Sequence, residues 1–254
     1  MKSKILLLLL AVLITGVSCA QNDGAKFKEP LNILVFSKTE GFRHSSISSG
    51  IKMLYDQSKE QNWVITVTEN ASLLSDETLS QMDMVVFMNP TGNAINETGQ
   101  QAFEKFMKRG KGFVGIHAAA DCEYDWPFYG NLVGAYFLTH PPAQEATVIF
   151  ENYDHPAMQP FKGMKTYTTF DEWYSFKENP RENVNVLARL DESTIENTND
   201  NNWRMNDHPL IWWTEEGDVR SFYSVFGHTH EAFQDKLIIE HLTKAINWAG
   251  KRID

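Results

Sequence analysis

What most narrows the fold of this chain is an alternation that starts at Leu31. LNILVFS, WVITVTE and MDMVVFMN read as short apolar strands, and SSISSGIKMLYDQSKEQ between the first two reads as an amphipathic helix. ETGQQAFEKFMKRG continues the series, with Ala102, Phe103, Phe106 and Met107 on one helical face and Gly110 placed to end it. KGFVGI then supplies the next strand. Parallel strands need crossover connections and must be covered on both faces. The pattern therefore predicts a doubly wound, mostly parallel α/β sheet with helices on both sides.

After residue 140 the rhythm changes. ATVIF, VNVLARL, PLIWWTE and VRSFYSVF read as strands, the last two joined through a turn at Glu216-Gly217-Asp218. This half predicts an antiparallel extension of the sheet. EAFQDKLIIEHLTKAINWAG closes the chain as a helix with Phe233, Leu237, Leu242, Ala245, Ile246 and Ala249 on its apolar face and Gly250 at its end. His241 falls in the middle of that helix and is expected at the surface. The Asn/Asp/Glu-rich segment Asp191 to Asn202 reads as a solvated loop, and no internal repeat is present.

The N-terminus reads as an address. Lys2 and Lys4 precede the apolar run Ile5 to Ile14, which is well short of the ~20 residues a helix needs to cross a bilayer. The small residues before Cys19 resemble a bacterial lipobox, with Gly16 where leucine is more usual. Residues 1–19 are expected to be a signal peptide, 20–30 a polar tether and 31–250 one domain. The protein is thus expected to be exported to the periplasm or cell surface, anchored by lipid at Cys19 or simply cleaved. Cys122 is the other of the 2 cysteines, so a lipidated Cys19 leaves no intramolecular disulfide. The formal net charge is -10 and no basic stripe is present, which argues against nucleic acid as a partner.

In an open α/β sheet, ligands bind beyond the carboxyl ends of the strands. Three histidines fall there: His44 in the loop KTEGFRH, His117 directly after GFVGI, and His228 in GHTHEAF. In GFVGIHAAAD the apolar run ends on His117 and turns at once into helix-forming alanines, so His117 marks a strand-to-helix turn. An imidazole there can ligate a metal or move protons near neutral pH, or simply cap a turn. TTFDEWYSF brings together Asp171, Glu172, Trp173 and Tyr174. Adjacent carboxylates on an extended chain point to opposite sides, so one of Asp171 and Glu172 is expected to face a pocket. The rings suit either core packing or stacking on a sugar face. Arg43, beside His44, offers a fixed cation. His140 and His155 precede prolines and fit turns, and His155 is read as structural. His208 can enter a pocket or sit at the wrong end of its strand. Phosphate loops, GxGxxG, HExxH, paired CxxC and GxSxG are all missing, so the common nucleotide, zincin, zinc-finger and serine-hydrolase readings lack support.

GFRH, GFVGIHAAAD, DEWY, HPLIWW and FYSVFGHTHEAF, in this order, resemble the trehalose-utilisation (ThuA-like) family from Leu31 to Gly250. The resemblance implies a flavodoxin-like fold similar to class I glutamine amidotransferases, in which a nucleophile sits at the tight elbow after a central strand. Here His117 occupies that elbow, and Cys122 lies further on, so cysteinyl amidotransferase chemistry is not expected. It further implies a role on glycosides or disaccharides, acting on 3-keto sugars made by a partner sugar dehydrogenase. Under that implication His117 or Asp171 serves as base, with Glu172 also catalytic and Arg43 stabilising an oxyanion. His44 and His228 act as stabilisers or as ligands of a divalent metal ion. Trp173, Tyr174, Asp121 and His208 contact the saccharide. The alternative is a non-catalytic sugar-binding lipoprotein built on the same groups.

Overall fold

The computed structural model describes residues 25–196, 198 and 200–254, and the expected leader and Cys19 lie outside them. In chain order the strands are β1 (Leu31–Phe36), β2 (Trp63–Thr68), β3 (Met84–Met88), β4 (Gly112–Ile116), β5 (Phe137–Thr139), β6 (Gln144–Phe150), β7 (Thr166–Asp171), β8 (Ser175–Phe176), β9 (Asn185–Leu190), β10 (Pro209–Glu216) and β11 (Val219–Ser224). The α-helices are α1 (Ile47–Gln61), α2 (Asp76–Leu79), α3 (Glu97–Met107), α4 (Pro127–Val133) and α5 (Lys236–Ala249). Before β1, Lys26 N–H donates to Glu60 O at 2.7 Å and Asn62 Nδ2 donates to the carbonyls of Phe27 and Lys28, so the packed chain begins ahead of Leu31.

Nine strands form one sheet in the order β2-β1-β3-β4-β11-β10-β9-β6-β7. β2, β1, β3, β4 and β11 run parallel, and β10, β9, β6 and β7 follow with antiparallel neighbours. β11, expected in the antiparallel half, instead pairs parallel with β4 and so extends the parallel half by one strand. Alternation on β11 divides the two faces. Ser221 Oγ donates to Leu132 O and Tyr223 stacks on Trp212 on the α4 side, whereas Phe222 meets Trp248 and Ser224 meets His241 on the α5 side. Phe87 and Phe113 carry Phe103 and Tyr129, which holds α3 and α4 on the first face.

Two local expectations change. His117-Ala-Ala-Ala-Asp121 is a 3-10 turn rather than the start of an α-helix, because the chain must bridge to Gly92: Gly92 N–H donates to Asp121 O and Glu123 N–H to Gly92 O. The alanines are fully buried, and a Cβ on Gly115 would already meet Ala119 Cβ at 3.0 Å. Small size, not helix propensity, explains their presence. Cys122 is accordingly extended rather than helical, and its thiol points at Tyr129 Oη and Ala119 O. The final helix starts only at Lys236, where the Asp235 carboxylate caps Leu237 and Ile238, so Phe233 packs from the preceding turn.

His241 is not on the surface. It is fully buried, with Nδ1–H donating to Ala157 O at 2.9 Å and Nε2 beside Ser224 Oγ at 3.2 Å. His155 is buried too, and caps the 3-10 turn Pro156–Phe161, the structural role expected of it. Burial pulls His241 from 6.5 down to about 4, and burial followed by the His241 and Arg220 charges pulls His155 down to about 3. Both rings therefore stay neutral in the folded state where the unfolded chain already binds protons. Stability should rise between about pH 4 and pH 6.5 and be lost as pH falls through that window, by ~1.4 kcal/mol per pH unit for each histidine. Urea unfolding of the wild type and His241→Leu across that range checks this; equal slopes would refute it.

A candidate metal centre at the strand ends

Four loops deliver the site. His44 comes from the loop after β1, His117 from the residue after β4, Glu172 from the residue after β7, and His228 from the loop after β11. β7 is the far edge of the sheet, yet its end reaches the β11 loop. Register shifts between Pro209, Ile211 and Trp212 of β10 bend the antiparallel half, and at the end of β7 Asp171 accepts Gly227 N–H at Oδ2 (3.0 Å) and His228 N–H at Oδ1 (3.0 Å). Gly227 sits at φ 136, and a Cβ there would meet Ile116 and Phe233 at 3.0 Å, so only glycine fits. Asn89, at φ 51 after β3, ties the same loops: its Nδ2 donates to Ser46 Oγ (3.1 Å) and Gly227 O (2.9 Å), and its Oδ1 accepts Ala118 N–H (3.3 Å).

At the centre, one ligand atom from each of His44, His117, Glu172 and His228 lies within 4.8 Å of all the others. The three imidazoles stand edge-on, with centroids 4.9, 5.1 and 5.4 Å apart. His117 holds a left-handed backbone, φ 46, at the elbow. Its Nδ1–H donates to Val225 O at 2.8 Å, which leaves a bare Nε2 aimed at Glu172 Oε2, 3.4 Å away. His228 Nδ1 approaches the same oxygen at 3.1 Å. Among the described residues His44 has no hydrogen-bond partner on either ring nitrogen, although the ring is buried. Buried polar atoms are normally paired, so a converging set of bare nitrogens around one carboxylate calls for a cation between them. Ligands 2.0–2.1 Å from one tetrahedral ion sit roughly 3.4 Å apart. The contacts of Glu172 match that spacing. Three imidazoles and a carboxylate fit a first-row divalent ion, and the His117 bond to Val225 O is the outer contact that orients a metal-binding imidazole.

The electrostatics agree. Burial, then His117 and His228, hold His44 down from 6.5 to about 3, so it presents a neutral ring. Burial works against Glu172 ionisation, but contacts from His117 and His228 outweigh it and keep the carboxyl well below its ordinary range. Burial lowers His228 while Glu172 and Asp171 raise it, and the carboxylates prevail.

Above the cluster opens a pocket of about 310 Å3 lined by Phe42, His44, Asp121, Phe137, His140, Glu172 and Tyr174. A larger hollow of about 600 Å3 beside Met107, Phe128 and Gly217 carries no such cluster among the described residues. Tyr174 packs on His117 with centroids 4.1 Å apart. His140 brings Nδ1 to 3.2 Å from Glu172 Oε1 and 2.8 Å from Pro141 O. In the sequence His140 fits a turn before Pro141, because no strand pattern marks β5 ahead of it; Ser46 and Asn89 carry no local signal.

Several expected site residues stand elsewhere. Arg43 is exposed and pairs with Glu69 at 2.5 Å, away from the pocket lining, so it stabilises no oxyanion here. Trp173 is fully buried, its Nε1–H donating to Gln144 O, and cannot stack on a ligand. His208 is sealed between Glu192 Oε1 (2.8 Å) and Tyr174 O (2.9 Å). Both ring nitrogens are thus engaged, and the ring holds the Tyr174 backbone instead of substrate. Asp171 is fully buried, does not line the pocket and accepts a third N–H from Glu172, at 2.9 Å, so both its oxygens are engaged with backbone rather than presented to a substrate as base. His117 is excluded as base by the same reasoning, since its free nitrogen faces the cluster. As expected, the paired carboxylates diverge, and the one facing the pocket is Glu172.

The model of the ThuA family, described as trehalose utilisation, matches residues 32–249. Among proteins of curated function none is significantly similar. Solved structures agree on the fold. A putative ThuA-like protein from Bacteroides uniformis superimposes with a TM-score of 0.74 at 24% identity, covering 88% of this chain and 93% of that one. One from Parabacteroides merdae gives 0.69 at 18%, covering 87% and 90%. The glutaminase domain of Trypanosoma brucei CTPS gives 0.54 at 9%, covering 88% and 95%, and so shares the glutamine amidotransferase-like architecture. With its model matched across the whole α/β body, the chain belongs to the ThuA family, and its role is carbohydrate-related.

Proposed function

We propose that this protein is an exported, metal-assisted enzyme that cleaves 3-keto glycosides or disaccharides by elimination and hydration, on sugars oxidised beforehand by a partner sugar dehydrogenase. The observation that carries the reading is the set of bare, buried imidazole nitrogens around Glu172 at the floor of a pocket of about 310 Å3. That volume is at the small end for organic ligands and suits one sugar ring rather than two. Among the described residues no lysine or arginine lines the pocket, which favours an uncharged sugar over a phosphorylated one.

A carbonyl at C3 acidifies the C2 proton. Removing that proton places negative charge on the C3 oxygen; the electron pair then expels the C1 substituent, which leaves as an alcohol, and water adds across the new double bond. His44, His117, Glu172 and His228 would hold a divalent ion, which when bound would supply Lewis-acid stabilisation of that charge. Phe42, Phe137 and Tyr174 wall the pocket with rings that can pack on the sugar face. Anchoring through Cys19 would place the reaction at the membrane surface.

The purified protein is expected to contain a stoichiometric first-row metal and to release aglycone from a 3-keto-glucoside. Chelation should abolish turnover and metal should restore it. Saccharide binding without turnover would instead favour the sugar-binding lipoprotein, and absence of both metal and saccharide binding would end the proposal.

A further inference from the structure

Elimination requires a base, and the geometry removes the two obvious ones. Asp171 spends its oxygens on three backbone N–H groups, and His117 spends its nitrogens on Val225 and the cluster. Glu172 is bracketed by His117, His140 and His228, each within 3.4 Å, and Glu123 caps Ala94 and Ile95 while accepting from Gln100. One pocket carboxylate is left over.

Resting on the keto-glycoside reading above, we infer that Asp121 is the proton-transferring base of this site and that Tyr124 is the residue that positions it. Asp121 ends the turn His117–Asp121 and lines the pocket together with His44 and Glu172. Its main chain is pinned, since Asp121 O accepts Gly92 N–H at 2.9 Å. One carboxylate oxygen accepts the Tyr124 hydroxyl in a hydrogen bond. Among the described residues the side chain has no second hydrogen bond, so its other oxygen is available to a bound molecule. Tyr124 is in turn fixed: its N–H donates to Asn93 Oδ1 at 2.9 Å, and the Lys177 ammonium lies 4.0 Å from its ring centroid. Burial raises Asp121 from its ordinary value while the Tyr124 bond opposes it, which strengthens a carboxylate as a base.

The step balances within the site. The free oxygen of Asp121 takes the proton from C2, and the C–H electron pair moves toward C3 as the carbonyl pair moves onto oxygen. When the pair returns, it forms the C1–C2 double bond and the C1–O bond breaks. The proton held by Asp121 passes to the departing oxygen, which regenerates the carboxylate. Tyr124 keeps its own proton throughout.

The test uses the metal-loaded protein with a 3-keto-glucoside in D2O, reading deuterium uptake at C2 and aglycone release by NMR, with metal content and melting measured in parallel. Asp121→Asn should lower both rates about 1,000-fold with metal content unchanged, and formate should restore much of the rate to Asp121→Ala. Tyr124→Phe, which keeps the carboxylate, should lose roughly tenfold and gain nothing from formate. An Asp121→Asn protein within tenfold of wild type would overturn the assignment while leaving the keto-glycoside reading intact. So would an Asp121→Ala protein that loses its metal and ignores formate. A wild type that neither exchanges nor cleaves any 3-keto glycoside would overturn both.

Discussion

Replacing Glu172 with Gln is expected to weaken divalent-metal binding by about 100-fold or more, equivalent to ~3 kcal/mol or more. Glu172 is the one charged member of the cluster and the group that His117 Nε2 and His228 Nδ1 both approach, at 3.4 and 3.1 Å. A glutamine in the same place keeps the shape but withdraws the negative charge, and its amide nitrogen cannot ligate. The consequence extends to stability. An ion that binds only the folded chain stabilises it by about 2.7 kcal/mol at a concentration 100 times its Kd, and for a domain of this size that moves Tm by roughly 5–10 °C. Added zinc or manganese should therefore raise the melting temperature of the metal-stripped wild type by that amount and leave Glu172→Gln nearly unmoved. His44→Ala should behave the same way, since His44 offers two nitrogens with no other partner among the described residues. Equal metal-induced shifts in wild type and both variants would show that the imidazoles do not share an ion.

β1, β3 and β4 of the parallel half were legible because each is a buried run bounded by a helical stretch, and both signals are local, whereas the parallel place of β11, reached from β10 through a hairpin, was not. LNILVF, MVVFM and GFVGI are buried almost throughout in the fold, as their composition demands. His44, His117 and His228 were legible for the same reason: each follows a strand, and the ligand end of a wound sheet is fixed by topology. What escaped the sequence was set by distant partners. Arg43 looks like a site cation until Glu69 captures it, and His241 looks exposed because a mid-helix polar residue usually is; only its bonds to Ala157 and Ser224 make burial tolerable. His140 arrives on a strand of three residues, β5, whose pattern is too short to read. The roles of Asp171 and Glu172 could be divided in principle by strand alternation, but which of them faced inward depended on the curl of β7 toward Gly227, and no local pattern encodes that.

That curl yields the second large effect. Asp171→Ala is expected to destabilise the fold by about 3–5 kcal/mol, a major part of the 5–15 kcal/mol that holds a typical domain together. The carboxylate is fully buried and accepts three backbone N–H groups, from Glu172, Gly227 and His228. Alanine strands all three without water to replace the acceptor, and it cuts the link between the edge strand and the β11 loop. The Tm should fall by on the order of 10 °C. Asp171→Asn should lose less, because one oxygen still accepts two of the three donors while the amide faces the third. Two of the three donors belong to Glu172 and His228 themselves, so both variants should also bind metal more weakly. A base would behave differently: Asp171→Asn would then abolish turnover while melting and metal affinity stayed at wild-type values. Urea unfolding and metal titration of the two variants separate these outcomes, and the hydrogen bonds of Asp171 commit it to holding the ligands in place.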